Sequence, residues 1–468
     1  MAPTVIAGGG TAGLALALAL GTRGHRVRLL ERGEAPPDGP AVKSAEVWQR
    51  PTVPQAPHDH ILNALGVRTL RRHAPRVLDA ALGEGARLLD LRTAAPGEVA
   101  DEDLLTLVCR RSVLDLVLHR AVRALPGVTI THDTTVTGLL LHGQRVTGVA
   151  ADTGETIPTD LVVDASGRRS ASRSWLAAAG LKAPRDLTGP TRLRAFGRFY
   201  RLRDPDAPPP GPLNRGNAAG GIWGHYSAVV HPADNDLFAI TLGTLPGDHA
   251  TTALGDPAAF TAACRISPYL AAWVDEAAAA PLGPVRVIGM PPNILRGTPS
   301  VTGLLQVGDA ACVTDPMFGR GLSLALTHAF RLAELIDRQP YGSDELSRAA
   351  ADLADELLRP WYEQAAHDSW ARIERWRAET DMPPTSQRPP APPPVPPHLW
   401  AAALTAAATD PVVWRGIARA RTGLGTPAEI FADDGFLTRV EAAPATPLVG
   451  ARPPTRSELR QALVRKGA

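Results

Sequence analysis

Only three cysteines, Cys109, Cys264 and Cys312, are scattered over 468 residues. They form neither a disulfide framework nor a clustered metal site, which fits a reducing, cytoplasmic setting. Lysine is equally scarce: apart from Lys43, Lys182 and Lys466, the basic residues are arginines. With a net charge of +2 and no run of basic residues, the chain offers no stripe for nucleic acid. No apolar stretch reaches the roughly 18 residues that a membrane span requires. The opening apolar segment lacks a basic leader-type flank and reads as structure, not as a signal peptide. Internal repeats are absent. The length leaves room for two to three domains with large cores.

The most informative stretch is Thr4 to Glu31. An apolar run, Thr4 to Ala7, meets Gly8-Gly9-Gly10-Thr11-Ala12-Gly13; an Ala/Leu helix follows, then the apolar run Val27 to Leu30 and Glu31. Strand, glycine turn, helix, strand and acid together make the βαβ dinucleotide fingerprint in its full context. Gly8 permits the tight turn and Gly10 lets the backbone approach a pyrophosphate, while Gly13 allows close helix–strand packing. The helix N-terminus supplies N–H groups to the phosphates. Glu31, about 20 residues on, is placed to accept from a ribose hydroxyl. A bound dinucleotide is therefore expected.

Further along, Arg50 to His60 is a proline-stiffened polar loop ahead of a helix from about Ile61 to Arg72. His58 and His60 lack a third ligand of suitable spacing, so the loop reads as ordered polar structure or as a cofactor contact, not a metal site. Arg111 opens a helix with Leu114, Leu118 and Val122 on one face. Leu161 to Gly167 reads as a buried strand ending in a turn and Leu304 to Asp309 as a buried strand ending in Gly-Asp, both returning to the first sheet, and Gly319-Arg320-Gly321 opens an apolar helix through about Ile336. A glycine-opened helix start invites a second anionic or electron-rich group. Between them, Arg192–Leu202, Gly220–Val230 and Asp236–Leu245 alternate like antiparallel strands. There Trp223 and His225 are expected on one face and Ile222 and Tyr226 on the other. These four read first as core and second as the wall of a substrate pocket.

The expected class is α/β (α+β): a Rossmann-like dinucleotide-binding domain, an inserted antiparallel-sheet substrate domain and a C-terminal helical extension. The segments are 1–186 and 290–340 for the nucleotide domain and 187–289 for the sheet domain. A long helix is expected at 341–382, a proline-rich linker at 383–398 and a helical tail at 399–468, anchored on the body by Trp400 and Trp414. The linker reads as polyproline II.

The glycine motif with Glu31, the Arg111-x-x-Leu114 helix, Asp164-Ala165-Ser166-Gly167, and Gly308-Asp309 followed by Pro316-Met317-Phe318-Gly319-Arg320-Gly321 occur in this order. Together they resemble the para-hydroxybenzoate-hydroxylase-type FAD monooxygenases over residues 8 to about 322. Val53-Pro54-Gln55-x-x-His58-x-His60 is similar to the flavin epoxidases of polyether antibiotic biosynthesis, of the lasalocid and monensin type. The resemblance implies that Gly8, Gly10, Thr11, Ala12 and Gly13 line the pyrophosphate, with Glu31 on the ribose and Arg32 beside the adenine. It places Arg111 toward the diphosphate or ribityl, Arg50 and Gln55 near the flavin, and Val136 at the adenine. Asp309 would accept from ribityl hydroxyls. Pro316, Gly319, Gly321 and Leu322 would lie near the flavin O2 edge, where a helix start stabilises negative charge.

The implied activity is insertion of one oxygen atom from O2, through a flavin C4a-hydroperoxide, into a largely apolar small molecule. Epoxidation of a C=C bond in natural-product biosynthesis is favoured over ring hydroxylation, since no catalytic base is identified. The alternatives are a flavin-dependent reductase of isoprenoid-type double bonds and a non-catalytic FAD-binding scaffold. One departure stands out: the family's strand-end motif reads Asp-Gly, whereas Ser166 precedes Gly167 here. That shifts the expected electron source from direct NAD(P)H use toward a separate flavin reductase. It also suggests that Ser166→Asp recovers direct reduction. Halogenase chemistry is disfavoured because the Trp-x-Trp-x-Ile-Pro motif is absent.

Overall fold

The computed structural model describes residues 3–53, 55–56, 58, 60–380, 382–383, 393–443 and 452–464. Its first layer is a parallel sheet in the order Leu304–Gln306, Val162–Asp164, Thr4–Ala7, Val27–Leu30, Val128–Thr131. Val5 is registered against both Val162 and Arg28, and Leu30 against Thr131. These short strands are almost wholly apolar, as buried parallel strands must be. Helix Thr11–Thr22 is buried along most of its length. It packs against helices Arg111–Arg123 and Gly321–Arg338. All five strands end on the same side of the sheet. Gly8, Glu31, Ser166 and Asp309 therefore emerge from one edge, where ligands of open α/β sheets bind.

The second layer is a five-stranded antiparallel sheet ordered Ala219–Ile222, Ser227–Pro232, Leu237–Thr244, Arg194–Leu202, Ala279–Gly289. The last strand carries Pro281 and Pro284 and lies at the edge, where a missing N–H costs no ladder bond. Sequence alternation predicts one strand through Gly220–Val230, but the structure folds it into a hairpin. Ile222 pairs with Ser227, and the Trp223 N–H donates to Tyr226 O at 2.9 Å. The chain thus reverses within Trp223–Tyr226, so the expected sharing of faces across this stretch does not hold. Gly220 and Gly224 supply the local freedom that the alternation concealed.

The expected long helix is likewise two, Asp344–Leu357 and Arg359–Glu379, because Pro360 has no N–H to continue the ladder. Most of the expected proline-rich linker, residues 384–392, lies outside the described residues. The tail forms its own apolar cluster of Ala403, Val413, Ile417, Phe431, Phe436 and Val440. Trp400 stacks on Phe431 at 5.4 Å, and so packs the tail against itself. Trp414 touches both this cluster and that of the body. Asp101 joins tail to body by accepting from Arg415 at 2.9 Å and Arg419 at 2.8 Å.

Candidate active site

The glycine turn is built as its spacing requires. Gly8 has φ +117°, a conformation that L side chains rarely adopt, and an added Cβ would collide with Ala165 O. At Gly13 a Cβ would run into the Gly8 carbonyl oxygen. Gly10 faces open space instead, with nothing within 4 Å of a Cβ. It occupies the N-cap of helix Thr11–Thr22 without any side-chain cap, which leaves the helix's first N–H groups for an external anion. Glu31 closes the turn from the next strand, accepting from Gly9 N at 2.5 Å and Gly33 N at 2.8 Å. Arg32 reaches Thr52 O at 3.2 Å on the exposed side.

Behind the turn lies Asp115, which sequence reading did not single out. It is fully buried and accepts from Thr11 Oγ1 at 2.5 Å, from Arg50 Nη1, and from Arg111 Nε at 3.4 Å. Burial works to raise its pKa, but Arg111 and Arg50 outweigh it and hold the carboxyl below the usual range. Thr11, Arg50 and Arg111, expected separately, thus share one anchor. The signal was available: Asp115 follows Arg111 by four residues and is the one acid in its helix. Arg50 also donates to Gly9 O at 3.4 Å. Its loop runs on to the second sheet, where His58 packs against Gly197.

Gly308 brings the third segment in: a Cβ there would sit 2.5 Å from the Ala12 side chain. Asp309 follows, with its pKa raised by burial despite Arg111 and Arg168 nearby. It has no hydrogen-bond partner among the described residues. The loop then turns through Pro316–Phe318 and Gly319, at φ +64°, into helix Gly321–Arg338, which also lacks a side-chain cap. Asn63 holds the turn by donating to Gly319 O at 2.8 Å. Buried Asp315 fastens its start, accepting from Met317 N at 3.0 Å, Ser369 Oγ at 2.8 Å and Arg372 Nη2 at 2.9 Å. Leu322 packs on the main core. Val136 packs with Ala7 and Leu30, the last residues of the strands that lead into Gly8 and Glu31, and its carbonyl accepts from Trp175 Nε1 at 3.1 Å.

The four pocket candidates divide. Ile222 joins a cluster of Leu193, Leu245, Ile373 and Trp376 together with Met317 of the Pro316–Phe318 turn. Trp223 and Tyr226 pack with Tyr269 in the core of the antiparallel sheet. His225 is buried beside Asp248 and Arg456, and burial pushes its pKa down to about 4. Ser166 proves structural: its Oγ donates to Asp164 at 2.5 Å and accepts from Ala171 N at 2.8 Å. Asp164 in turn accepts from Ser170 Oγ at 3.0 Å and Ser172 N at 2.8 Å.

These residues fit FAD. The open space over Gly10, two uncapped helix starts, the cations Arg50 and Arg111, and the unpartnered buried Oε1 of Gln55 are what a flavin dinucleotide would complete. Residues 1–189 match the family model described as an FAD binding domain. Residues 1–189 are thus an FAD binding domain, and the chain shares its fold with FAD-dependent monooxygenases. Among individual proteins it is similar to Protein Rv3254 of Mycobacterium tuberculosis, 26% identical over 391 residues and covering 76% of each chain. It shares its fold with pqsL, a probable FAD-dependent monooxygenase from Pseudomonas aeruginosa: TM-score 0.61, 16% identity, 81% of this chain and 99% of that one. A triple mutant of the flavin-dependent brominase Bmp2 gives TM-score 0.63, 17% identity, 92% of this chain and 98% of that one.

Proposed function

We propose that this chain transfers one oxygen atom from O2 to a largely apolar small molecule, with epoxidation of a C=C bond as the favoured reaction. Bound FAD would supply the activation of O2. The chain's own residues would hold the diphosphate (Gly10, Gly13, Arg111), the ribose (Glu31) and the ribityl chain (Asp309). The observation that carries this reading is the convergence of the glycine turn, Asp309 and the Pro316–Gly321 turn at one edge of the parallel sheet. The apolar surface beside Met317 supports a substrate with little polarity. Among the described residues no catalytic base stands beside this surface, which favours alkene over phenol. A cytoplasmic setting and a role in natural-product biosynthesis belong to the same reading.

Ser166 supports a separate flavin reductase as the electron source, since its hydroxyl is committed to Asp164 and Ala171. The test is to purify the yellow protein, reduce it with an added reductase under labelled O2, and follow candidate alkenes and phenols by mass spectrometry. One labelled oxygen atom in the product is expected. Anaerobic saturation of the double bond would show a reductase instead, and an inert flavin would show a binding protein.

A further inference from the structure

Helix Arg359–Glu379 lies beyond residues 1–189, the part that matches the FAD binding domain, yet it bears on the Pro316–Gly319 turn at both ends. Four of its residues, Gln364, Asp368, Arg372 and Trp376, stand four apart and so form one stripe along the helix. Gln364 donates to Asp368 at 2.8 Å, and Asp368 lies 3.7 Å from Arg320, just after the turn. Arg372 donates to Asp315, just before it, at 2.9 Å. Trp376 donates from Nε1 to Trp223 O at 2.7 Å, on the reversal of the antiparallel sheet. The stripe thus ties the turn to the second layer.

Arg372 is its strongest link. Its side chain is 1% exposed, and that of Asp315 is fully buried. The same Nη2 that reaches Asp315 also donates to Thr191 O, and the guanidinium stacks over Trp376, 4.9 Å from the ring centre. Asp315 is occupied on both oxygens: Oδ2 accepts from Arg372 and from Ser369 Oγ, while Oδ1 accepts from Met317 N inside the turn. Its backbone N–H donates to Asn293 Oδ1 at 2.6 Å, and Asn293 Nδ2 reaches Ser369 Oγ at 3.1 Å. Nε and Nη1 of Arg372 have no hydrogen-bond partner among the described residues. Burying a cation with two donors empty is costly, and an apolar pair of the same volume would often stabilise the fold as well or better. What the charged pair supplies is one permitted geometry, because a buried carboxylate with both oxygens taken tolerates little displacement. At the other end of the turn, buried Asn63 donates to Gly319 O at 2.8 Å. The turn is thus held at both ends, and helix Gly321–Arg338 begins just beyond it with its first N–H groups uncapped.

We propose that Arg372 is a positioning residue for the flavin, acting through Asp315 to hold the Pro316–Gly319 turn and the start of helix Gly321–Arg338 where the helix's positive end favours the reduced cofactor. This deepens the oxygen-transfer reading and rests on it only for the placing of FAD beside the turn. The test is the midpoint potential of the bound flavin, measured by dye equilibration in wild type, Arg372→Met, Arg372→Lys and Asn63→Ala. Arg372→Met should favour the oxidised flavin tenfold or more, a fall of about 30 mV in a two-electron couple. Arg372→Lys should recover most of the loss, since one ammonium can donate to the same two oxygens. Asn63→Ala changes no charge, yet it frees the other end of the turn and should lower the potential in the same direction. An unchanged potential in Arg372→Met, even with a lower melting temperature, would make the pair purely structural and overturn the proposal. A shift in Arg372→Met without one in Asn63→Ala would trace the effect to charge alone and overturn it equally. If Arg372→Met fails to fold or to keep FAD, Asn63→Ala decides by itself: a lowered potential supports the positioning and an unchanged one overturns it. A potential that follows the variants in a protein that transfers no oxygen would leave the positioning standing and overturn the oxygen-transfer reading.

Discussion

At the scale of single residues, two buried carboxylates behave in opposite ways. Asp115 is held ionised by Arg50 and Arg111, and it contributes stability only while ionised. Its folded pKa lies below the unfolded value of about 4, so the contribution is full above that pH and is lost as pH falls through the folded value. Asp115→Ala leaves buried arginines uncompensated and should cost about 3–5 kcal/mol. Urea midpoints of wild type and variant should converge in acid and separate by neutral pH; parallel curves would refute the pairing. Asp309 is costly when charged and has no partner, so Asp309→Ala should not destabilise the FAD-free chain. If it serves the ribityl chain, FAD affinity should nonetheless fall by about 10- to 150-fold, the equivalent of roughly 1.5–3 kcal/mol. Fluorescence titration with FAD reads the effect, and an unchanged constant would move Asp309 out of the site. Ser166→Asp is expected to fail as a route to direct reduction. The new carboxylate would face Asp164, now 2.5 Å from the Ser166 hydroxyl, and the variant should melt lower than wild type without faster flavin bleaching by NADPH.

At the scale of elements, legibility followed how local the determinant was. The glycine turn could be read because each glycine answers a short-range clash: Gly13 meets the carbonyl of Gly8 only five residues away. The helix start after Gly319 was legible for the same reason. The Trp223–Tyr226 reversal was not, because apolar alternation continues through it and the pairing of Ile222 with Ser227 alone reveals the hairpin. Helix Arg456–Val464 shows the opposite case, a modest pattern made stable by distant packing. It lies on the antiparallel sheet domain, with Leu459 fully buried in that core and Arg456 donating to Asp248 at 2.5 and 2.6 Å. Leu459→Ala should therefore cost about 2–5 kcal/mol in thermal unfolding, although its helix packs on segments far back in the chain, His249–Gly255 and Pro257–Arg265. A change within ±0.5 kcal/mol would mean the helix adds nothing to that core.

For the whole molecule, the site depends on two layers being held in one orientation, and one buried ion pair does much of the holding. Arg110, immediately before Arg111, donates its backbone N–H to Asp234 Oδ1 at 2.6 Å, and its guanidinium engages both carboxylate oxygens, Nη2 at 2.8 Å. Asp234 is fully buried in the turn between two strands of the antiparallel sheet. No periodicity joins positions so far apart, so this link was invisible in the sequence. Asp234→Ala removes the acceptor and leaves both a cation and a backbone N–H buried without it, a loss of about 3–5 kcal/mol. The loss falls on the contact between layers, not on either core. Calorimetric unfolding, expected to be a single transition in the FAD-loaded wild type, should split or broaden in the variant, and the FAD-binding layer should retain its flavin longer than the sheet retains its fold. A single transition merely shifted to lower temperature would show that the two layers unfold as one body, and that the Arg110–Asp234 pair stabilises that body without joining its parts.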